Sequence, residues 1–259
     1  MLGMDKSQNR SKDTTVDASE IEKFSAIASE WWDKNGKFRP LHQITPVRLQ
    51  YINQQIQRKL RSEVEQPGSI EGVNLLDIGC GGGLVCEPLS RLGVQVCGID
   101  PSSATIEAAR KHSSEQGLSI DYQATTLEEF SRSRREFDVI VCLEVLEHVN
   151  NVSNFLELCR TLLADNGVLI LSTINRTTKS YAQAILAAEY ILGWLPTGTH
   201  DWKKFIKPGE LKEILERIGF EECETSGLTY SLLTDQWSLS EDCSVNYFLT
   251  CKFVGLSAN

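Results

Sequence analysis

Hydrophobic positions fall into three regimes along the chain. From Ser19, apolar residues recur at Ile21, Phe24, Ile27, Ala28 and Trp31, the spacing of one helical face. Ser19 with Glu22 forms a capping-box pattern at its start. A second helix is expected from Thr45-Pro46, with Thr45 as N-cap, Pro46 as first residue, and Val47, Leu49, Tyr51, Ile52 and Ile56 on its apolar positions. Gln66-Pro67-Gly68-Ser69 closes this helical preface.

Short apolar runs then alternate with helical periodicity. Strands are expected at 73–78, 94–99, 120–123, 137–143 and 168–172. Helices are expected at about 83–92, weakened or kinked by Pro88, from Ser102 or Ser103 to about Glu115, and at 152–163, before a turn at Asp165-Asn166-Gly167. Regular β-α alternation implies a parallel sheet with helices on both faces. A last helix starts at Pro208 and stops at Gly219, followed by strands at 221–228 and 245–253.

Composition narrows the picture. At 259 residues the chain holds one large domain or two small ones, and needs no disulfide or metal to build its core. A net charge of −9 opposes nucleic-acid binding, which needs clustered Lys and Arg. No apolar run reaches the roughly 18 residues of a membrane span. The eight cysteines are spread through the chain without a Cys-x-x-Cys, and several sit in apolar runs, so they are read as reduced, mostly buried small hydrophobes of an intracellular protein. Residues 1–18 are polar, lack a secretory h-region, and are too acidic for a mitochondrial presequence. They are expected to form a disordered tail.

Candidate chemistry begins at Leu76-Asp77-Ile78-Gly79-Cys80-Gly81-Gly82-Gly83, which joins the first strand to a helix. Nucleotides bind at the carboxyl ends of such strands, and Asp100 closes the next strand, where a carboxylate can receive both hydroxyls of a ribose. Leu84 stands where a dinucleotide fingerprint needs Gly or Ala, and no Gly-Lys-Ser/Thr follows for a P-loop. A second cluster, Glu144, Glu147 and His148, follows the fourth strand. On a helical turn these residues fall at i, i+3 and i+4. They suit Mg²⁺, or with the imidazole Mn²⁺, Fe²⁺ or Zn²⁺. A metal would lower a phenol's pKa, and His148 as general base is the metal-free version. The same turn serves equally to shape a pocket.

An Asp before a Gly-x-Gly-x-Gly loop resembles the class I S-adenosylmethionine methyltransferases. Two flanking stretches narrow the resemblance. One runs from Phe24 through Trp31-Trp32-Asp33 and Pro40-Leu41-His42 to Thr45-Pro46, Arg48-Leu49 and Tyr51-Ile52. The other comprises Asn175-Arg176, Glu189-Tyr190-Ile191-Leu192, Pro196, Gly198-Thr199-His200-Asp201 and Lys204-Phe205-Ile206-Lys207-Pro208. With Val245-Asn246-Tyr247 they resemble the O-methyltransferases of ubiquinone biosynthesis over residues 19–253.

The resemblance implies a Rossmann-like fold, a seven-stranded, mostly parallel sheet with an antiparallel last strand and a helical N-terminal extension. One domain is expected over 19–259: helices at 19–66, a cofactor-binding core at 67–173, a substrate- and membrane-facing insertion at 174–207, and a C-terminal helix and strands at 208–253. S-adenosylmethionine is the implied cofactor, held by Arg48, Gly79, Asp100 and Leu143. Glu144 and His148 are the implied catalytic residues. Glu144, Glu147 and His148 are the implied ligands of a divalent metal, magnesium before zinc. The implied substrates are polyprenyl catechols, polyprenyl-dihydroxybenzoate among them, and demethylubiquinol. A multi-enzyme complex of the same pathway is the implied partner. Trp31 and Trp32 read as core or staple residues, with closure over the cofactor as the other use.

In the insertion, residues 178–192 read as an apolar helix followed by Trp194-Leu195, with Arg176 and Lys179 before it and Lys203, Lys204 and Lys207 after it. Such a helix can lie on anionic lipid or pack over the active site. The expected location is the matrix side of the mitochondrial inner membrane as a peripheral protein, or alternatively the bacterial cytoplasm against the membrane. A methyltransferase for another small phenol or for carbon, and a weakly active cofactor-binding scaffold, stand as the alternatives.

Overall fold

The computed structural model describes residues 21–22, 25–60, 69–182 and 201–254. The expected disordered tail, the Ser19 capping box, Phe24, the Pro67-Gly68 break and most of the 174–207 insertion, including all but the start of its helix, lie outside the described residues.

Eight strands form one sheet in the order β3-β2-β1-β4-β5-β8-β6-β7. Helix α1 (Arg39–Leu60) precedes β1 (Asn74–Ile78), α2 (Cys86–Arg91), β2 (Gln95–Asp100), α3 (Ser103–Glu115), β3 (Asp121–Ala124), α4 (Leu127–Phe130), β4 (Phe137–Leu143), α5 (Val152–Thr161) and β5 (Leu163–Ile174). After the insertion come α6 (Pro208–Arg217), β6 (Phe220–Ser231), β7 (Gln236–Ser240) and β8 (Asn246–Phe253). Strands β1 to β5 pair in parallel, and β8 runs antiparallel between β5 and β6. The expected antiparallel last strand is therefore present. The eighth strand, β7, is an added edge that hairpins onto β6. Its short, half-exposed alternation lacks the apolar run that marks central strands such as β1, β4 and β5.

The central strands are apolar on both faces because helices cover both. Leu76, Ile140, Leu169 and Leu171 face Phe155 of α5 and Leu211 and Leu215 of α6. Leu75, Val139, Val141, Val168 and Ile170 face Tyr51, Ile52 and Ile56 of α1 and Ile106 of α3. Ser102 caps α3, its side chain accepting from the Thr105 amide. The expected Asp165-Asn166-Gly167 turn sits inside β5 as an excursion: Phe137 pairs with Leu163 and Val139 with Val168, and Asn166 takes a φ of 62°.

Three expectations need correction. Helix α1 starts at Arg39, so Thr45 is not its N-cap, and Pro46 lies in its interior. The Thr45 hydroxyl donates to the Leu41 carbonyl at 2.6 Å. Burial of Ile44, Val47, Tyr51, Ile52 and Ile56 on the sheet offsets the roughly 3 kcal/mol an interior proline costs. Pro88 does not kink its helix, because as third residue of α2 it sits in the first turn, where backbone amides have no intrahelical partner. Finally, Cys223 and Cys251 are joined by a disulfide across β6 and β8, where the register shift between Glu221 and Glu224 brings the two strands' side chains together. Cys80, Cys86, Cys97, Cys142, Cys159 and Cys243 are free thiols, all but Cys243 fully buried.

Candidate active site

The glycine loop is tied to the end of β2 by backbone. The amides of Gly79 and Cys80 both donate to the Ile99 carbonyl, at 2.8 and 3.1 Å. Gly79 has a φ of 72° and Gly81 a φ of 54°, conformations an L side chain rarely adopts. A Cβ on Gly79 would stand 2.4 Å from Val145 Cγ2, and one on Gly81 would stand 2.1 Å from the Trp31 ring. Val145 and Trp31 thus pack directly on the loop backbone and leave no room for a side chain at either glycine.

Asp100 is the loop's acidic partner. Its Oδ2 accepts from the Gly81 amide at 3.2 Å and its Oδ1 from the Ser102 amide at 2.9 Å. Burial pushes its pKa up to about 6 against the pull of these two amides. On the adjacent strand, opposite Gly98, Asp77 is buried and accepts from Cys86 Sγ at 3.1 Å. Burial raises it to about 7, with the nearby Arg48 charge opposing.

That shift has a pH consequence. Asp77 titrates near 3.8 when unfolded and near 7 when folded, so the folded chain holds the extra proton between those values. Stability from this group is full below about pH 4, is lost as pH rises towards 7, and is flat above, an effect on the order of 4 kcal/mol. Asp77→Asn is expected to remove this slope, so that its denaturant midpoint gains on wild type between pH 5 and pH 8. Parallel midpoints across that range would refute it.

Arg48 projects from α1, nearly buried, with Nη2 3.1 Å from Glu144 Oε1. Its Nε is buried without a hydrogen-bond partner. Glu144 follows Leu143 at the end of β4 in a left-handed conformation, φ 55°, which turns the chain sharply out of the strand. Its amide donates to the Ser172 carbonyl at 3.0 Å, and the Ser172 hydroxyl donates to its Oε1 at 2.7 Å. Half-buried Leu143 packs on the α1 side of the sheet. The structure therefore brings Arg48, Gly79, Asp100, Leu143 and Glu144 to the carboxyl edge of β1, β2 and β4.

Glu147 and His148 lie in the 3-10 turn Leu146–His148. Glu147 is buried, Oε2 accepting from the Thr173 hydroxyl at 2.8 Å and Oε1 without a partner. Burial, then the Glu144 charge, raises its pKa to about 7.

The expected metal triad is not assembled. Glu144 hangs from Ser172 and Glu147 from Thr173, adjacent residues of β5 whose side chains point to opposite faces of the sheet. The left-handed Glu144 also breaks the helical spacing that would have aligned the three residues. Among the described residues no group of three His, Cys, Asp or Glu side chains is placed to hold a metal. The donor set as held does not fit a divalent ion.

The segment ahead of α1 covers the glycine loop. Trp31 lies buried on the glycine loop and against Phe38, ring centroids 4.0 Å apart. Trp32 donates from Nε1 to the Gly82 carbonyl at 3.0 Å and stacks on His112 at 3.5 Å. His112 Nδ1 is 2.6 Å from buried Glu87. Both tryptophans thus pack on the glycine loop, the place that their second expected use, closure over the cofactor, requires. Asp77, Ser172 and Thr173 went unassigned. Their signal was an acid or hydroxyl inside or closing an apolar strand run, where a polar group needs a partner.

Residues 50–225 match the family described as "Methyltransferase domain". The ubiquinone biosynthesis O-methyltransferase of Nitrobacter winogradskyi is 50% identical over 242 residues, 93% of this chain and 92% of that protein. Its counterpart in Bradyrhizobium diazoefficiens is 48% identical over 92% of this chain and 94% of that protein. Among solved structures, the magnesium protoporphyrin IX methyltransferase of Synechocystis PCC 6803 with bound SAH shares the fold. Its TM-score is 0.60 at 19% identity, covering 96% of this chain and 100% of that one. With near-full-length identity of this order and the expected cofactor residues gathered at one sheet edge, the chain belongs to the family of ubiquinone biosynthesis O-methyltransferases.

Proposed function

We propose that the protein methylates a phenolic oxygen of a polyprenyl catechol, such as polyprenyl-dihydroxybenzoate, and of demethylubiquinol. The observation that carries this is Glu144, held by Arg48 and Ser172 at the same sheet edge as the glycine loop and Asp100. S-adenosylmethionine supplies, when bound, a sulfonium methyl open to in-line attack by an oxygen nucleophile. The residues fit it. Asp100 offers a part-buried carboxylate for the ribose hydroxyls, and the unpartnered Nε of Arg48 suits a carboxylate. Leu143 gives the pocket an apolar wall.

A free phenol, with pKa about 10, is a poor nucleophile at neutral pH. Glu144 takes the phenolic proton as the oxygen attacks, with His148 as the second candidate base. No step is routed through a metal, because the carboxylates are held on opposite faces of β5.

Methyl incorporation from labelled cofactor tests this reading. Short-tailed catechols are expected to be labelled on oxygen well above unrelated phenols, with and without chelator. Equal labelling of unrelated phenols, or labelling on carbon, would favour another small-molecule methyltransferase. No incorporation would favour a scaffold.

A polyprenyl substrate resides in the bilayer, so the enzyme must work at a membrane surface. No helix of the described residues is long and apolar enough to cross one. We place the protein peripherally, on the face that fronts a bacterial cytoplasm or a mitochondrial matrix.

A further inference from the structure

Two indole nitrogens lie on the glycine loop, and one of them has no partner. Trp32 Nε1 donates to the Gly82 carbonyl at 3.0 Å. Trp31 is only 7% exposed, and its Nε1 is buried without a hydrogen bond. An indole N–H can only donate, and native structures rarely leave a buried donor unpaired, because its hydration is lost with nothing in return. The loop fixes where this nitrogen stands. A Cβ on Gly81 would run into Cζ2 and Cε2 of the Trp31 ring, and one on Gly82 into Cδ1, with Nε1 2.7 Å away. The Nε1 edge of the indole therefore spans both glycines.

Trp31 is held there from several sides. Its ring packs on Phe38 and Leu84, and its carbonyl accepts from His42 Nε2 at 3.0 Å. Ahead of it, Ser25 Oγ lies 2.7 Å from Ser102 Oγ, on the residue whose amide donates to Asp100. Behind it, Trp32 stacks on His112, the rings 8° from parallel. His112 Nδ1 donates to Glu87 at 2.6 Å, since a carboxylate only accepts. Glu87 is fully buried in the first turn of α2, four residues past Gly83, and its other oxygen meets Arg91 at 3.3 Å. Taking a partner from a buried carboxylate is strongly destabilising, so Glu87 anchors His112, and His112 sets the plane of Trp32.

The loop's ligand supplies the missing acceptor. Asp100 presents oxygens, which suit the donor hydroxyls of a ribose. Arg48 Nε and Trp31 Nε1, at the same sheet edge, are buried donors without a partner and call for the opposite. The α-carboxylate of S-adenosylmethionine only accepts, and its charge strengthens each hydrogen bond it receives.

We infer that Trp31 binds the cofactor, its indole N–H donating to the α-carboxylate of S-adenosylmethionine, and that Glu87 and His112 act through Trp32 as positioning residues for it. The inference rests on S-adenosylmethionine as the cofactor and on no particular methyl acceptor.

Titration calorimetry on the full chain tests it with two ligands, S-adenosylmethionine and its decarboxylated form. Trp31→Phe keeps a ring against the loop and removes the N–H. It is expected to weaken S-adenosylmethionine binding about ten- to a hundredfold, and to leave the decarboxylated ligand within about threefold of wild type. His112→Ala should narrow the preference for the carboxylate in the same way. A Trp31→Phe chain that binds both ligands as wild type does, or loses both alike, would overturn the inference, and His112→Ala losing both alike would remove its positioning role. A measurement on wild type covers a variant that does not fold. Of the five indole N–H resonances, one should move downfield with S-adenosylmethionine and far less with the decarboxylated ligand. If no indole resonance separates the two ligands, the inference fails. Wild type that binds no S-adenosylmethionine would sink the cofactor assignment with it. A chain that shows the expected pattern yet methylates no catechol would sink the proposed function and leave this inference standing.

Discussion

Replacing Asp100 with alanine is expected to weaken S-adenosylmethionine binding by about a hundredfold or more. The carboxylate accepts two backbone amides, Gly81 on the glycine loop and Ser102 at the start of α3. It therefore shapes the loop as well as offering itself to a ribose. Charge-assisted hydrogen bonds contribute roughly 1.5–3 kcal/mol each, so losing two costs at least about 3 kcal/mol, or a hundredfold in affinity. Asp100→Asn keeps one acceptor oxygen and should lose less. The pH profile separates the charge from the shape. With a folded pKa of about 6, Asp100 becomes protonated as pH falls through 6, and wild-type affinity should fall with it. The asparagine variant, with no proton to gain there, should show no such step. Titration calorimetry across pH 5 to 8 reads both effects. Unchanged affinity in the alanine variant would remove Asp100 from the cofactor site.

The residues that carry this chemistry differ in how visible they are in sequence. Strands β1, β2, β4 and β5 announce themselves because a sheet covered on both faces needs continuous apolar runs, and Ser102 announces α3 because the free amides of a helix start need a side-chain acceptor. Gly79 and Asp100 are visible because a loop and an acid at consecutive strand ends must converge in a parallel sheet. What stayed hidden depends on register. Nothing local tells that Ser172 and Thr173 each receive a glutamate, or that those two carboxylates are thereby parted to opposite faces. The helical spacing of residues 144, 147 and 148 suggested one cluster. One left-handed residue, Glu144, was enough to undo it.

The start of α1 and the hairpin β7 show the same limit. Thr45-Pro46 has the form of a helix start, but tertiary burial of α1 overrides a local signal worth only about 1 kcal/mol for the cap. Trp31 and Trp32 gave an apolar pattern consistent with any core helix. Their contact with Gly81 and Gly82, some fifty residues away in sequence, exists only once the sheet is formed.

Glu144→Gln is expected to lower kcat by about a hundredfold to ten-thousandfold, the usual worth of a general base, and to leave cofactor affinity nearly unchanged. The amide keeps an acceptor for the Ser172 hydroxyl and fills the same volume, so the left-handed turn at the end of β4 is not disturbed. Arg48 loses its 3.1 Å charge partner but keeps its guanidinium for the cofactor's carboxylate. Removing Glu144's charge also removes a competitor for that guanidinium, so any shift in affinity should be towards tighter binding. Arg48→Ala should do the reverse, weakening cofactor binding first and turnover as a consequence. The pH dependence is the more searching readout. If Glu144 takes the phenolic proton, the variant must wait for solvent to make the phenolate. Its kcat/KM should then climb about tenfold per pH unit towards the phenol's pKa of about 10, where it approaches the wild-type rate. A variant that loses cofactor affinity in calorimetry would place Glu144 in the cofactor site instead, and one whose rate stays low and flat in pH would show that the proton leaves by another group.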